Sequence, residues 1–268
     1  MREVYTLIDA TFMIIDAHNH YFKIKDFKRV LFKNMDDAGV DKVVLSGLGV
    51  GEFGNNGDVE VLMKEYPDGV IGLAALFPGR MPYSAVDDFY SRGFKGLKLY
   101  YPTKNYDDDG FMPYYQKAED YGMPILFHTG VCSATPEDRE LGTTSAYMKV
   151  AYLDKIARKF PKLRIQAAHL GDPDFLEAFR ISQYNPNMWL DLSGGAIFTK
   201  VQALHEYLNI RIWPEKLVWG ADSISEDPKE YQRLLFTWET LISDIGIHGE
   251  QWEEVFYVNA AKIYGVKF

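Results

Sequence analysis

Short apolar stretches recur along this chain of 268 residues, and each is followed by a polar or glycine-bearing loop and then by a longer amphipathic stretch. A short, continuous apolar run bounded by turn residues is typical of a strand that is buried on both faces, as in a parallel sheet. Strands are therefore predicted at residues 12–15, 42–48, 70–76, 95–100, 124–128, 164–170, 188–192 and 217–220.

The stretches between these runs have the periodicity of amphipathic helices, and their ends carry residues that terminate helices. Gly39, Gly93 and Gly122 follow three of them as candidate C-terminal caps, and Pro67 and Pro161 stop two others. Helices are therefore predicted at residues 27–38, 58–66, 84–92, 112–121, 146–160, 173–183, 199–208, 228–245 and 251–264.

Strand and helix alternate eight times, which is the pattern of a (β/α)8 or TIM barrel, an α/β fold of ~250 residues in one domain. We therefore predict a single barrel domain over residues 1–268. The competing architecture is an open, doubly wound sheet. However, the chain has no G-x-G-x-x-G fingerprint after the first strand, and its glycine-rich residues 47–57 lack the Gly-Lys-Ser/Thr of a phosphate-binding loop.

The charge balance narrows the possible partners. With 29 basic and 38 acidic residues the net charge is −9, which argues against a general nucleic-acid or anionic-membrane binder. The one cysteine, Cys132, excludes an intrachain disulfide and a multi-cysteine metal site, and it favours a reducing, cytoplasmic setting. We expect no signal peptide in residues 1–15, and no run approaches the ~20 apolar residues of a membrane span.

Histidines are concentrated at the carboxyl ends of predicted strands, where four of the six in the chain lie. In a barrel this end carries the active site, because all the loops from strand to helix open there. His18 and His20 form a His-x-His motif, and residues i and i+2 of a strand point to the same face. We therefore expect both imidazoles to reach one barrel mouth and hold one ion. By the same alternation, Asp16 is expected to point with them and Asn19 away.

Three further candidates follow later strands. His128 ends strand five in Phe-His-Thr-Gly, His169 ends strand six in Ala-His-Leu-Gly, and Asp222 follows strand eight in Gly-Ala-Asp. Taken singly, the histidines are explained as core or surface residues and Asp222 as a helix N-cap. Together with the His-x-His pair they surround one opening with imidazole and carboxylate groups, which suit Zn²⁺ and neighbouring divalent ions.

These motifs, together with Ile-Asp-Ala-His-Asn-His at 15–20 and Asn-Ala-Ala-Lys-Ile-Tyr-Gly at 259–265, resemble the amidohydrolase superfamily. The finer similarity is to the amidohydrolase-2 branch, which also holds aminocarboxymuconate-semialdehyde decarboxylase and pyrone-dicarboxylate lactonase. The resemblance implies that Asp222 accepts a proton from water, and that His169 is a catalytic base or electrophile or the ligand of a second metal. It implies one divalent ion, Zn²⁺ or else Mn²⁺, rather than two. The implied metal ligands are His18, His20, His128 and Asp222.

Four residues are candidate substrate contacts. Lys98 ends strand four and resembles the lysine that dihydroorotases carboxylate to bridge two metals. A free ammonium would repel a dication, so the alternatives are a contact with a substrate carboxylate or a pair with an aspartate. Tyr100 is placed to line an aromatic pocket. Arg80, after strand three, and Arg139, in the long loop 131–145, are placed to grip a carboxylate, and a surface charge explains each as well.

The predicted function is a metal-dependent hydrolase acting on a small carbonyl substrate, such as a carboxylated lactone or amide. The alternatives are a non-oxidative decarboxylase of an unsaturated or aromatic acid, and a barrel that binds metal or ligand without catalysis. A deaminase is disfavoured, since the His-x-x-Glu that superfamily deaminases usually carry on strand five is missing at His128. The expected partner is a carboxylate-bearing small molecule, and the resemblance implies a homodimer.

Overall fold

Eight parallel strands follow one another in chain order around a single sheet, so the predicted barrel is confirmed. The computed structural model describes residues 13–132, 135–208 and 213–267. The ring closes where the amide of Ala17 donates to the carbonyl of Trp219 at 3.0 Å and the amide of Asp222 donates to that of His18 at 2.7 Å. The strands are β1 (Ile15–His20), β2 (Lys42–Gly47), β3 (Val70–Leu76), β4 (Gly96–Leu99), β5 (Ile125–Phe127), β6 (Ile165–Ala167), β7 (Met188–Asp191) and β8 (Leu217–Val218).

Helices surround the barrel, and their apolar faces pack on the outward-facing strand residues. Successive side chains of a strand point to opposite faces, so Val43 and Leu45 join this outer core while Val44 joins the core inside the barrel. The helices are α1 (Phe27–Ala38), α2 (Asn56–Glu65), α3 (Ser84–Ser91), α4 (Met112–Asp120), α5 (Pro136–Glu140), α6 (Tyr152–Lys159), α7 (Phe175–Tyr184), α8 (Ile197–Leu208), α9 (Pro228–Asp244), α10 (Glu250–Glu253) and α11 (Asn259–Tyr264). Within the described ranges, none of them has the length and apolarity that crossing a bilayer requires.

The first strand differs most from its prediction. It runs from Ile15 to His20 rather than over 12–15, of which Phe12 lies outside the described residues. All six of its residues are buried, although four of them are polar. The hydropathy pattern predicted an end at residue 15 because the polar residues that follow are more typical of loops than of buried strands. The site residues are therefore part of β1 itself.

Two other segments are less regular than predicted. In place of a helix over 146–160, a 3₁₀ turn at Ser145–Tyr147 precedes α6, because the carbonyls of Tyr147 and Met148 accept from the amides of Tyr106 and Gly130 in neighbouring loops. The predicted helix 251–264 contains a π-helical turn at Glu254–Val258.

Candidate functional site

His18 and His20 are placed by β1, and a bulge there changes the expected alternation. The pairing of β1 with β2 shifts register between Asp16 and Asn19. As a result, Asp16 and Asn19 bond to each other at 2.7 Å, and Asp16 accepts from the hydroxyl of Tyr231 on α9 at 2.7 Å. The expectation that Asp16 points with the histidines was wrong. Burial raises the pKa of the Asp16 carboxyl to about 6, against the lowering effect of its hydrogen bonds.

Asp222 brings the His-x-His pair together at the barrel mouth. Its Oδ1 lies 3.3 Å from Nε2 of His20 and 3.7 Å from Nε2 of His18. Its backbone is left-handed, with φ of 50°, a conformation that costs energy for a residue with a side chain. Potential ligand atoms of these three residues all lie within 4.8 Å of one another, so the group is suited to hold a metal ion.

The outer nitrogens of both imidazoles face oxygen acceptors. Nδ1 of His18 lies 3.0 Å from Oδ2 of Asp191, and Nδ1 of His20 lies 3.3 Å from the carbonyl of Ser46. We assign the ring proton to Nδ1 in both, where it is donated to these oxygens. In this tautomer each Nε2 would offer a lone pair to an ion bound beside Asp222, as a metal-ligating histidine does.

The same reasoning extends to His169 and His128. Nδ1 of His169 lies 3.2 Å from the carbonyl of Ser193, so its Nε2 is left to accept from Nδ1 of His128, which is 3.2 Å away. Nε2 of His128 is then a buried lone pair with no hydrogen-bond partner among the described residues. An unpartnered imidazole nitrogen beside this group fits a metal ligand.

Burial and charge set the protonation states at the mouth. Burial lowers the pKa of the His169 imidazole to about 4 and that of His128 well below its usual value. Burial also lowers the pKa of His18 and His20. For Asp222, burial alone would raise the pKa, but the surrounding imidazoles bring it well below the ordinary value. Neutral imidazoles beside an ionised carboxylate are the states that metal binding requires.

A cavity of about 340 Å³ opens at this mouth, and its lining includes Lys98, Tyr100 and the four residues His20, His128, His169 and Asp222. Nζ of Lys98 lies 2.8 Å from Nε2 of His18, and burial lowers the pKa of this lysine to about 8 against the pull of nearby carboxylates. The ring of Tyr100 lies 4.3 Å from that of His128.

The two predicted arginine contacts lie elsewhere. Arg80 is exposed, and its guanidinium donates to the backbone carbonyls of Tyr101 and Leu141. Arg139 is an exposed residue of α5. Neither lines the cavity. Their placement agrees with the surface-charge explanation.

Sequence reasoning missed three residues that build the site. Asp191 ends β7, where the strand-end argument would have found it. Burial alone would raise the pKa of this carboxyl, but the imidazoles of His18 and His169 and the hydrogen bonds from His18 and Ser193 hold it low. Ser193 donates to Asp191 at 2.5 Å. Lys200 lies in the first turn of α8 and lines the cavity, and its sequence context gives no signal of that position.

Comparisons with known proteins identify the family of this chain and its fold. Residues 15–266 match the model of the amidohydrolase family, and the resemblance to its amidohydrolase-2 branch is confirmed. The chain belongs to this family. A search of curated proteins finds no match.

Three solved structures show the fold that this amidohydrolase shares. A TIM-barrel protein from Bordetella bronchiseptica is 19% identical, with a TM-score of 0.70 over 94% of this chain and 98% of that one. A probable 2-pyrone-4,6-dicarboxylic acid hydrolase from Acinetobacter baumannii, with citric acid bound, is 14% identical, with a TM-score of 0.64 over 96% and 100%. A 5-carboxyvanillate decarboxylase from Novosphingobium aromaticivorans, complexed with manganese and a nitrobenzoic acid, is 17% identical, with a TM-score of 0.61 over 88% and 79%.

Proposed function

We propose that this amidohydrolase hydrolyses a small carbonyl compound, such as a carboxylated lactone or amide, with the help of one divalent metal ion. The observation that carries the proposal is the convergence of His18 and His20 on one oxygen of Asp222, at 3.7 and 3.3 Å, inside the mouth of the barrel. In TIM barrels the catalytic residues come from this end of several strands.

The residues that would hold the metal are His18, His20 and Asp222, with His128 as a further imidazole. Their donor set of nitrogen and carboxylate oxygen suits Zn²⁺ and also Mn²⁺. When bound, such an ion lowers the pKa of water and polarises a carbonyl group. Asp191 would not bind the metal itself but would orient the histidines around it. It accepts from Nδ1 of His18 at 3.0 Å and from the amide of His169 at 2.8 Å.

In the proposed reaction, Asp222 takes a proton from the attacking water. The oxygen of that water forms a bond to the carbonyl carbon, the bond from that carbon to the leaving oxygen or nitrogen breaks, and the proton passes to the leaving atom. The depressed pKa of Asp222 keeps it in the accepting, ionised form at neutral pH. His169, uncharged at neutral pH, borders the same space and orients the carbonyl or the water.

The shape of the site supports a small, carboxylate-bearing substrate. A volume of about 340 Å³ admits a molecule of one ring, and Tyr100 offers that ring a flat apolar surface. Lys98 lines the cavity and supplies positive charge there. The positions of Arg80 and Arg139 give no support to the predicted contacts of these arginines with substrate.

The test is turnover by the Zn²⁺- or Mn²⁺-loaded protein on a panel of carboxylated lactones, esters and amides and on hydroxybenzoic acids. We expect ring opening or acid release without evolution of CO₂, and loss of that activity when a chelator removes the metal. Release of CO₂ from an aromatic acid would instead support the decarboxylase. Metal retention with no turnover on the whole panel would support a binding protein.

A further inference from the structure

The loop between β7 and α8 forms a wall of the cavity directly against the reacting groups. A Cβ placed on Gly194 would lie 2.8 Å from Nδ1 of His169 and 3.4 Å from Oδ2 of Asp222. A Cβ placed on Gly195, the next residue, would meet nothing within 4 Å. The wall therefore has no room for a side chain at Gly194. At Gly195 the space beside the backbone is free, so a ligand can approach the backbone there.

Lys200 lies beside this open wall and is almost completely buried, with 1% of its surface exposed. Its ammonium group donates to the carbonyl of Ser193. Among the described residues this is its only hydrogen-bond acceptor, and no carboxylate lies within ion-pair distance of it. An ammonium has three N–H donors, so two of them have no acceptor in the part of the chain that the structure describes. Buried cations normally have such donors satisfied.

Carboxylates lie near Lys200 without contacting it. Asp172 also lines the cavity, and Asp172, Asp191 and Asp222 attract the ammonium electrostatically. Burial nevertheless lowers the pKa of Lys200 below its ordinary value. A buried ammonium that is held near acidic groups, but paired with none of them, leaves its charge available to an anion that enters the cavity.

We propose that Lys200 binds a carboxylate of the substrate and so determines that the site takes acids rather than neutral analogues. This inference rests on the proposed function only in calling the bound acid a substrate. Binding of a carboxylate by Lys200 requires no turnover. The wall formed by Gly194 and Gly195 then places the substrate between Lys200 and the pair of His169 and Asp222. Lys200 performs the task that the sequence suggested for Arg80 and Arg139.

The experiment measures binding of benzoate and of benzamide, its uncharged analogue, by isothermal titration calorimetry. We expect the wild type to bind benzoate more tightly than benzamide. Lys200→Met keeps the length of the side chain and removes its charge, and it is expected to weaken benzoate binding roughly 10- to 100-fold while leaving benzamide unchanged. Lys200→Arg keeps the charge and is expected to retain most of the benzoate affinity.

Arg80→Met is the matched control, because it removes a cation from a neighbouring loop outside the cavity. It is expected to leave benzoate binding unchanged. If Lys200→Met does not fold by circular dichroism, Lys200→Gln retains a donor for the carbonyl of Ser193 and is expected to show the same loss. Unchanged benzoate affinity in the neutral Lys200 variants, an equal loss in Arg80→Met, or a wild type that binds no benzoate near its solubility limit would overturn the proposal. Lys200-dependent binding without turnover on any panel substrate would overturn the proposed hydrolase alone.

Discussion

Two buried lysines lie at opposite ends of the barrel, and the protein holds them differently. Lys216 precedes β8 at the amino end, and its ammonium donates to the carbonyls of Asn185, Pro186 and Met188 at 3.0, 3.1 and 3.1 Å. Lys200, at the carboxyl end, has one carbonyl acceptor among the described residues. One ammonium is saturated by the protein, while the other keeps donors for a ligand.

The contrast extends to the groups around each lysine. At the amino end, the side-chain amide of Asn259 donates to two carbonyls, those of Pro214 and Leu217, at 2.9 Å each. At the carboxyl end, Nε2 of His128 has no partner among the described residues, and the backbone of His169 is left-handed, with φ of 58°. Unmet polar groups and strained backbone cluster at functional sites. We propose that the amino end serves stability and the carboxyl end serves chemistry.

Of the variants that test the difference between the two ends, Asp222→Asn at the carboxyl end is expected to have the largest effect, a loss of kcat. The amide cannot accept the proton that the ionised carboxylate takes, so kcat is expected to fall roughly 10²–10⁴-fold, with the barrel intact. Steady-state kinetics and circular dichroism measure the two quantities. Asp227→Asn is the matched control, since Asp227 is an exposed cap of α9 and asparagine caps equally well. A kcat within about threefold of wild type in Asp222→Asn would remove Asp222 from the mechanism.

A smaller effect of the opposite kind is expected from Lys216→Met at the amino end. Removing the ammonium leaves three carbonyls without their donor, so we expect the free energy of unfolding to fall by about 2 kcal/mol. Urea unfolding measures this change. Turnover of the folded variant should match wild type within about twofold, because Lys216 does not line the cavity. Normal stability with impaired turnover would reverse the roles of the two ends.

The smallest effect is a difference in the pH dependence of stability. Burial lowers the pKa of Lys216 from 10.5 to about 8. Between these values the unfolded chain binds a proton that the folded protein has lost, so this group makes the free energy of unfolding rise with pH. Lys216→Met should show a shallower rise than wild type across that window in urea unfolding. Parallel curves would show that Lys216 does not titrate there.

The barrel itself could be predicted from the sequence, because it depends on local patterns. The strand at Val70–Leu76 was predicted to the residue, since its apolar run is continuous and sharply bounded. Parallel topology then places the carboxyl ends of all strands at one opening, which is why the sequence alone groups His18, His20, His128, His169 and Asp222.

Other parts of the site depend on contacts that no local pattern records. The bulge in β1 turns Asp16 toward Tyr231, a residue far away in the chain. Lys200 lines the cavity from the first turn of α8, and helical periodicity alone gives no reason to single it out. Arg80 was chosen for its charge, but its loop directs it to backbone carbonyls. Residue type and strand position identify candidates, and tertiary packing decides which of them meet.

The measurement that tests the account most directly is the metal content per chain of protein made in medium supplemented with Zn²⁺ or Mn²⁺, determined by elemental analysis. We predict about one equivalent in the wild type and in His205→Ala, a control histidine of α8 outside the cavity, and almost none in His18→Ala. About two equivalents would indicate a second ion and a carboxylated Lys98. A wild type without metal, or equal metal content in His18→Ala, would contradict the claim that this mouth is a metal site.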